Sequence, residues 1–184
     1  ELCGGQVKLA SAPPCKDILH HIPKFFTAVF AKMENVHVHL NTEMTAEDVK
    51  SLKTDAVLLA TGGQIFVPGI PGVKGNPNVI PADKVLDGTE KLTGKVLIAG
   101  GGQIGIETAH LLHEQGLDVT VVEMLGDILM KEEPLTRATI MPVILGSDMQ
   151  ILTDHRIEKV SEHAVTVTDL HTQEAKDLPF DTMV

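Results

Sequence analysis

The sequence predicts an α/β fold organised around a parallel sheet, and three observations carry that prediction. Lys95–Ala99 is a short apolar run rich in branched residues, and Val119–Val122 reads as a second buried strand, as a parallel sheet covered on both faces requires. Between them lies a stretch of helical length, closed by Gly116 where a C-terminal cap would sit. The turn into that helix is Gly100-Gly101-Gly102-Gln103-Ile104-Gly105, with Gly100, Gly102 and Gly105 in the spacing G-x-G-x-x-G.

Each glycine in that spacing has a physical task. Gly100 permits a tight turn off the strand, Gly102 lets a pyrophosphate approach the backbone, and Gly105 lets the helix lie close to the strand. Amides at the helix start, without carbonyl partners, attract the phosphates. Glu123 closes the second strand and is placed to accept hydrogen bonds from the ribose hydroxyls of an adenosine. A 2′-phosphate there would meet a carboxylate, and no Lys or Arg follows until Lys131, so NADH is expected over NADPH. A glycine spacing alone is weak evidence. In register with strand, helix, second strand and acid, it specifies a Rossmann-like dinucleotide-binding unit. The helix is expected to turn Ile104, Thr108, Leu111 and Leu112 to one face.

The other elements follow in chain order. Lys16–Met33 reads as helical, with a fresh start expected near Ile22 because Pro23 interrupts it. Val36–Leu40 alternates as a strand with His37 and His39 opposite its apolar face, and Asp55–Ala60 is a further apolar run expected to be a strand. Phe66–Pro81, dense in proline and glycine, is connecting loop, and Ala82–Gly88 a short helical lead-in. After Glu123, Met124–Lys131 lacks periodicity. A helix then runs from about Pro134 to about Leu145, with Pro142 distorting or ending it. Gln150–Leu152, Ile157–Val160 and Ala164–Thr168 read as successive strands, the later ones a β-meander turning at Ser161–His163, and Leu178–Val184 starts another. The halves repeat an order, helix, strand, then an apolar run opened by Asp55 or Asp181. This predicts a truncated second dinucleotide domain of the FAD type over residues 1–90, lacking its first βαβ, and an NAD(H)-binding domain over 91–184.

Composition narrows the function classes. A formal net charge of −10, with no basic cluster, disfavours nucleic acid and anionic membranes as partners. No apolar run is long enough to span a bilayer. Cys3 and Cys15 form no metal spacing and read as reduced thiols of a cytoplasmic protein. Glu1-Leu2-Cys3 lacks an initiator Met, which points to a longer gene product. His20/His21 and His37/His39 find no third ligand at convincing spacing, so no metal is expected. The methionines from Met124 to Met149 read as core filler.

The landmarks Gly4-Gly5-Gln6, Ala60-Thr61-Gly62, the PGIPG loop, Asn78–Gly88 and Gly100–Glu107 together resemble the flavoprotein reductases in which an NAD(P)H domain is inserted into an FAD domain. GGQVKLASAPPCK with VHLNTEMT is, more specifically, similar to the C-terminal part of NADH:flavin oxidoreductases of the old yellow enzyme type, such as 2-enoate and 2,4-dienoyl-CoA reductases. The resemblance implies that Gln6, Thr61, Gly62 and the backbone at Met44 belong to an FAD side. It implies that Gly100, Gly102, Gln103, Ile104, Gly105 and Glu123 belong to an NADH side, with Glu107 orienting the nicotinamide or else satisfying the helix start. In that family FMN and an iron–sulfur cluster sit in an N-terminal TIM barrel, which is absent here and is the implied partner. Because the first G-x-G-x-x-G is also absent, FAD is expected to bind weakly or not at all.

No nucleophile–base pair or carboxylate dyad asks for chemistry of the protein's own, so no catalytic residue is assigned. The expected function is to bind NADH for hydride transfer to FAD, and onward to FMN for C=C reduction in the intact protein, the fragment alone being inactive. Rival readings are an ADP-binding module without catalysis, as in trimethylamine dehydrogenase, and an interaction domain binding neither nucleotide. Strand edges left by the missing βαβ also invite a homodimer.

Overall fold

A computed structural model describes residues 4–184; Cys3 lies outside them, and Cys15 is a free, exposed thiol. Four helical segments precede the sheet: α1 (Val7–Ala10), α2 (His21–Phe30), α3 (Ala46–Ser51) and α4 (Ala82–Leu86). A 3-10 turn over Asp17–His20 leads into α2, so the fresh start near Ile22 is found, with Pro23 in the first turn where its missing N–H costs nothing. Helix α3 is held by a capping box, Thr45 accepting from the Asp48 amide and Asp48 from that of Thr45.

The parallel sheet has the order β3–β2–β1–β7, from β1 (Lys95–Ala99), β2 (Asp118–Val122), β3 (Gln150–Leu152) and β7 (Thr182–Met183). Helix α5 (Gln103–Glu114) joins β1 to β2, and α6 (Pro134–Leu145) lies between β2 and β3. Pro142 sits inside α6, which ends three residues later. An antiparallel meander, β4 (His155–Val160), β5 (Ala164–Asp169) and β6 (Ala175–Pro179), forms the second sheet.

Side chains alternating along β1 separate two cores. Val96 and Ile98 pack with Ile106, Ala109 and Leu112 of α5 and with Val119 and Val121 of β2. Leu97 packs with Val122, Met183 and the meander residues Val160, Val165 and Val167 on the opposite face. The parallel sheet is therefore covered on both sides, which is why its strands read as continuous apolar runs.

Several expectations are corrected. Val36–Leu40 and Asp55–Ala60 form no strands, because no segment among the described residues offers them a ladder of hydrogen bonds. Leu58 is 94% exposed, and the repeat of order is not realised as sheet in this half. Leu178–Val184 is not one strand: β6 ends at Pro179 and β7 starts at Thr182, with buried Phe180 between them. The Ala175–Asp177 part of β6 carries no strand signal in the sequence because all three residues are exposed and no apolar alternation marks them. On α5 the buried residues are Ile106, Thr108, Ala109 and Leu112, whereas Ile104 is 66% exposed and Leu111 half-buried.

The 66–81 connection is irregular, as expected, but it is fastened to the meander. The Val160 amide donates to the Pro71 carbonyl, and the Asn76 and Asn78 side chains donate to the Ser161 and Glu162 carbonyls. Gly72 has φ +85°, and a Cβ there would lie 1.8 Å from the Val160 carbonyl oxygen. Among the described residues no helix is long and apolar enough to cross a membrane, and no group of three or more His, Cys, Asp or Glu gathers as a metal site.

Candidate functional site

Strand β1 ends at Ala99, and Gly100, with φ +110°, makes the turn, its amide donating to the Val122 carbonyl at the end of β2. Gly101 is buried. Its amide donates to Glu123 Oε2 at 2.6 Å, while Glu123 Oε1 accepts from the Leu125 amide at 2.8 Å. The Glu123 carboxylate thus locks the glycine turn to the segment after β2, and each oxygen retains acceptor capacity for a ligand hydroxyl. The 2.6 Å contact is short for an N–H donor, as charge-assisted bonds are.

Gly102 is the N-cap of α5, extended at φ −73°, ψ −179°, and no atom lies within 4 Å of where its Cβ would be. Gly105 is the opposite case: a Cβ would sit 2.0 Å from the Gly100 carbonyl oxygen. The two glycines therefore do different work, Gly105 closing helix onto strand and Gly102 leaving bare backbone at an open surface.

Two hollows meet at Gly102. The first, about 450 Å³, is lined by Ala82, Ile98, Ala99, Gly100, Gly102, Gln103, Ile104, Gly105, Thr108, Glu132 and Val184. The second, about 260 Å³, is lined by Gly101, Gly102, Glu123, Met124, Leu125, Asp127, Leu129, Met130, Lys131 and Glu132. Both open at the carboxyl ends of β1 and β2, where open α/β sheets bind ligands. The structure therefore brings Gly100, Gly102, Gln103, Ile104, Gly105 and Glu123 to one cleft.

Glu107 is one turn further along α5, and its Oε1 is held on two sides. Gln103 Nε2 donates to it at 2.8 Å, and Lys16 Nζ forms an ion pair with the same oxygen, the Glu107 side chain being 12% exposed. Lys16 escaped the sequence reading because its partner lies 91 residues away. On the other side, Gln6 Nε2 donates to the Gly63 carbonyl at 3.1 Å and its amide lies against Gly62, which has φ +76°. Gln6 is thus joined to the Thr61-Gly62 turn. Met44 is exposed on the segment before α3.

The segment after Glu123 also has a role that its missing periodicity concealed. Ile128 and Leu129 are buried, and the Leu129 amide donates to the Gly101 carbonyl at 2.8 Å, so Met124–Lys131 folds back as a wall of the second hollow. Asp127 is ion-paired with Arg137 of α6. Lys131, the first basic residue after Glu123, lines the same hollow as that acid. The methionines divide: Met141 and Met149 pack on the core, whereas Met124 and Met130 are 56% and 54% exposed, which corrects their reading as core filler.

A glycine turn between parallel strands, an acid at the neighbouring strand tip and a cleft across the strand ends define an FAD/NAD(P)-binding, Rossmann-like oxidoreductase fold. The chain belongs to the pyridine nucleotide-disulphide oxidoreductase family, whose profile matches residues 16–184. It is 34% identical over 184 residues to the bilirubin reductase of Mediterraneibacter gnavus (strain CC55_001C), covering 98% of this chain and 28% of that protein. It is 36% identical over 135 residues to the cinnamate reductase of Clostridium sporogenes, covering 73% of this chain and 20% of that protein. Among solved structures, a 2-naphthoyl-CoA reductase superposes with a TM-score of 0.86 at 28% identity, over 100% of this chain and 27% of that one. The likeness falls on the C-terminal FAD/NAD region of old yellow enzyme-type oxidoreductases, and the chain spans between a fifth and three tenths of these relatives.

Proposed function

We propose that this chain is the pyridine-nucleotide-binding part of a flavin-dependent oxidoreductase and that NADH lies across Gly102. The supporting observation is the pair of hollows meeting at a glycine whose Cβ position is empty. In this reading the pyrophosphate sits on the amides that open α5, the adenosine in the hollow beside Glu123, and the nicotinamide in the hollow bounded by Ile98, Thr108 and Val184. Bound NADH supplies hydride to a flavin, and in the whole protein the electrons serve reduction of an activated C=C bond.

The chain's own residues bind and orient. The Lys16 ammonium and the Gln103 amide fix the Glu107 carboxylate beside the larger hollow, where it would orient the carboxamide edge of the nicotinamide. Glu123, already clasped by two amides, offers its remaining acceptor capacity to the ribose. Lys131 in the same hollow tempers the preference for NADH over NADPH that Glu123 sets. The residues fit NADH. They do not form a firm FAD seat: Gln6 meets the Thr61-Gly62-Gly63 turn, but Ala56–Ala60 pairs with nothing among the described residues. We therefore assign residues 1–90 to an incomplete FAD-type unit and 91–184 to the NADH unit. The FMN, the iron–sulfur cluster and the barrel holding them belong to the rest of a cytoplasmic protein.

Titration with NADH followed by its fluorescence, in parallel with ADP, tests the proposal. Tighter binding of NADH than of ADP is expected, because the larger hollow serves only the nicotinamide half. Equal affinities would favour an ADP-binding module, and binding of neither would refute both.

A further inference from the structure

Gly102 and Glu132 are the two residues common to both hollows, so this acid stands at the waist where the hollows meet. Its backbone is tied to the glycine turn in two steps. The Glu132 amide donates to the Leu129 carbonyl at 3.1 Å, and the Leu129 amide donates to the Gly101 carbonyl at 2.8 Å. The other acids of the cleft have their charge engaged. Glu123 accepts from two amides, Glu107 is held by Lys16 and Gln103, and Asp127 is paired with Arg137. Glu132 is half-buried, and among the described residues no side-chain hydrogen bond or ion pair engages it. Lys131 beside it lines the smaller hollow alone. A cleft that receives anions on the amides opening α5 therefore keeps an uncompensated acid at its waist.

We infer that Glu132 is a specificity-determining residue, which admits a phosphate chain esterified at both ends and disfavours one with a free terminal phosphate. The inference rests on the dinucleotide reading and adds a filter on ligand charge. In a dinucleotide each phosphate of the bridge carries a single negative charge. A free terminal phosphate has a second ionisation near pH 6, so at neutral pH it carries about −1.5 to −2. The amides that open α5 attract both kinds of ligand. A carboxylate at the waist repels the more highly charged kind more strongly. Unit charges roughly 6–8 Å apart across water shift a dissociation constant about two- to threefold, and the effect compounds with each charge added to the ligand. The filter keeps mononucleotides from occupying the place of a dinucleotide.

The test uses ADP-ribose, ADP and ATP, which share an adenosine diphosphate core and differ in the charge of the phosphate chain. Each is titrated against the NADH-loaded chain, and the change in NADH fluorescence on displacement gives its Kd. Glu132→Gln removes the charge and keeps the shape of the side chain. It should tighten binding in the order ADP-ribose, ADP, ATP, with the gain growing about two- to threefold at each step. Glu132→Asp keeps the charge and should retain the wild-type order of affinities. In roughly 1 M NaCl, where the Debye length is about 3 Å, wild type and Glu132→Gln should bind all three ligands alike. Equal gains for the three ligands in Glu132→Gln, or no gain, overturn the filter while leaving the dinucleotide reading intact. A Glu132→Asp protein that behaves as Glu132→Gln overturns it in the same way. Failure of the wild-type chain to bind NADH, ADP-ribose or ADP overturns both.

Discussion

Replacing Gly102 by alanine separates folding from binding. Gly102 has φ −73°, which any L-residue adopts, and its Cβ would point into space with no atom within 4 Å. The fold therefore has no steric reason to resist the methyl, and because the entropy gain of about 0.4–1 kcal/mol from a stiffer unfolded chain is offset by alanine's poorer fit to the N-cap, stability should change by less than about 1 kcal/mol. Binding is another matter. The methyl occupies the space in which a phosphate must approach the amides of the α5 start, and the loss of one charge-assisted hydrogen bond costs about 1.5–3 kcal/mol. That is a rise in the NADH Kd of about 10- to 150-fold. Gly105→Ala should invert the pattern. Its Cβ would meet the Gly100 carbonyl at 2.0 Å, so the helix must move off the strand, at an overpacking cost of about 1–3 kcal/mol. Urea denaturation and NADH fluorescence titration on both variants supply the four values required. A Gly102→Ala protein with wild-type NADH affinity would refute the assignment of this turn to the pyrophosphate.

Two further predictions concern carboxylates. Glu123→Ala leaves the buried Gly101 amide without an acceptor and should lower stability in urea by about 1–3 kcal/mol, apart from any loss of NADH binding. Asp169 accepts from the amides of Thr172 and His171, which hold its carboxyl below the usual carboxylate range. Because the folded value is the lower one, this contribution is present above the unfolded value of about 3.9 and is lost as pH falls through the folded one. Asp169→Asn keeps an acceptor oxygen and removes the titration, so its stability should fall less steeply below about pH 4 in acid-denaturation curves.

The β1–α5–β2 unit was legible in the sequence because burial on both faces writes short runs dominated by branched apolar residues, and a glycine turn between two such runs has few other uses. The inward face of α5 was misread by about a residue. Gly105 carries no apolar side chain to mark that it lies against the strand, so the spacing points Ile104 inward where the structure buries Ile106 and Ala109. Val36–Leu40 and Asp55–Ala60 carry strand-like patterns without strands, because pattern records a preference for burial and a ladder needs a neighbour. For the cleft, the residue types were readable and the contacts were not. Lys16 reaches Glu107, Glu123 spends part of its carboxylate on Gly101, and Met124 leaves the core, each through geometry that no local spacing encodes.

The turn at Ser161–His163 is fastened to its neighbours largely through its peptide groups, while the Ser161 hydroxyl closes the turn on Ala164 and the His163 ring also meets the Asn78 side chain. Its three carbonyl oxygens accept from the Asn76 side chain, the Asn78 side chain and the Phe180 amide in succession. Of the three, Glu162 contributes only its carbonyl to this junction, whereas Asn76 and Asn78 contribute the side-chain donors on which it depends. The same junction carries the chain on to Ala82 at the wall of the larger hollow, so an asparagine lost far from the glycine turn would still be felt there as slack.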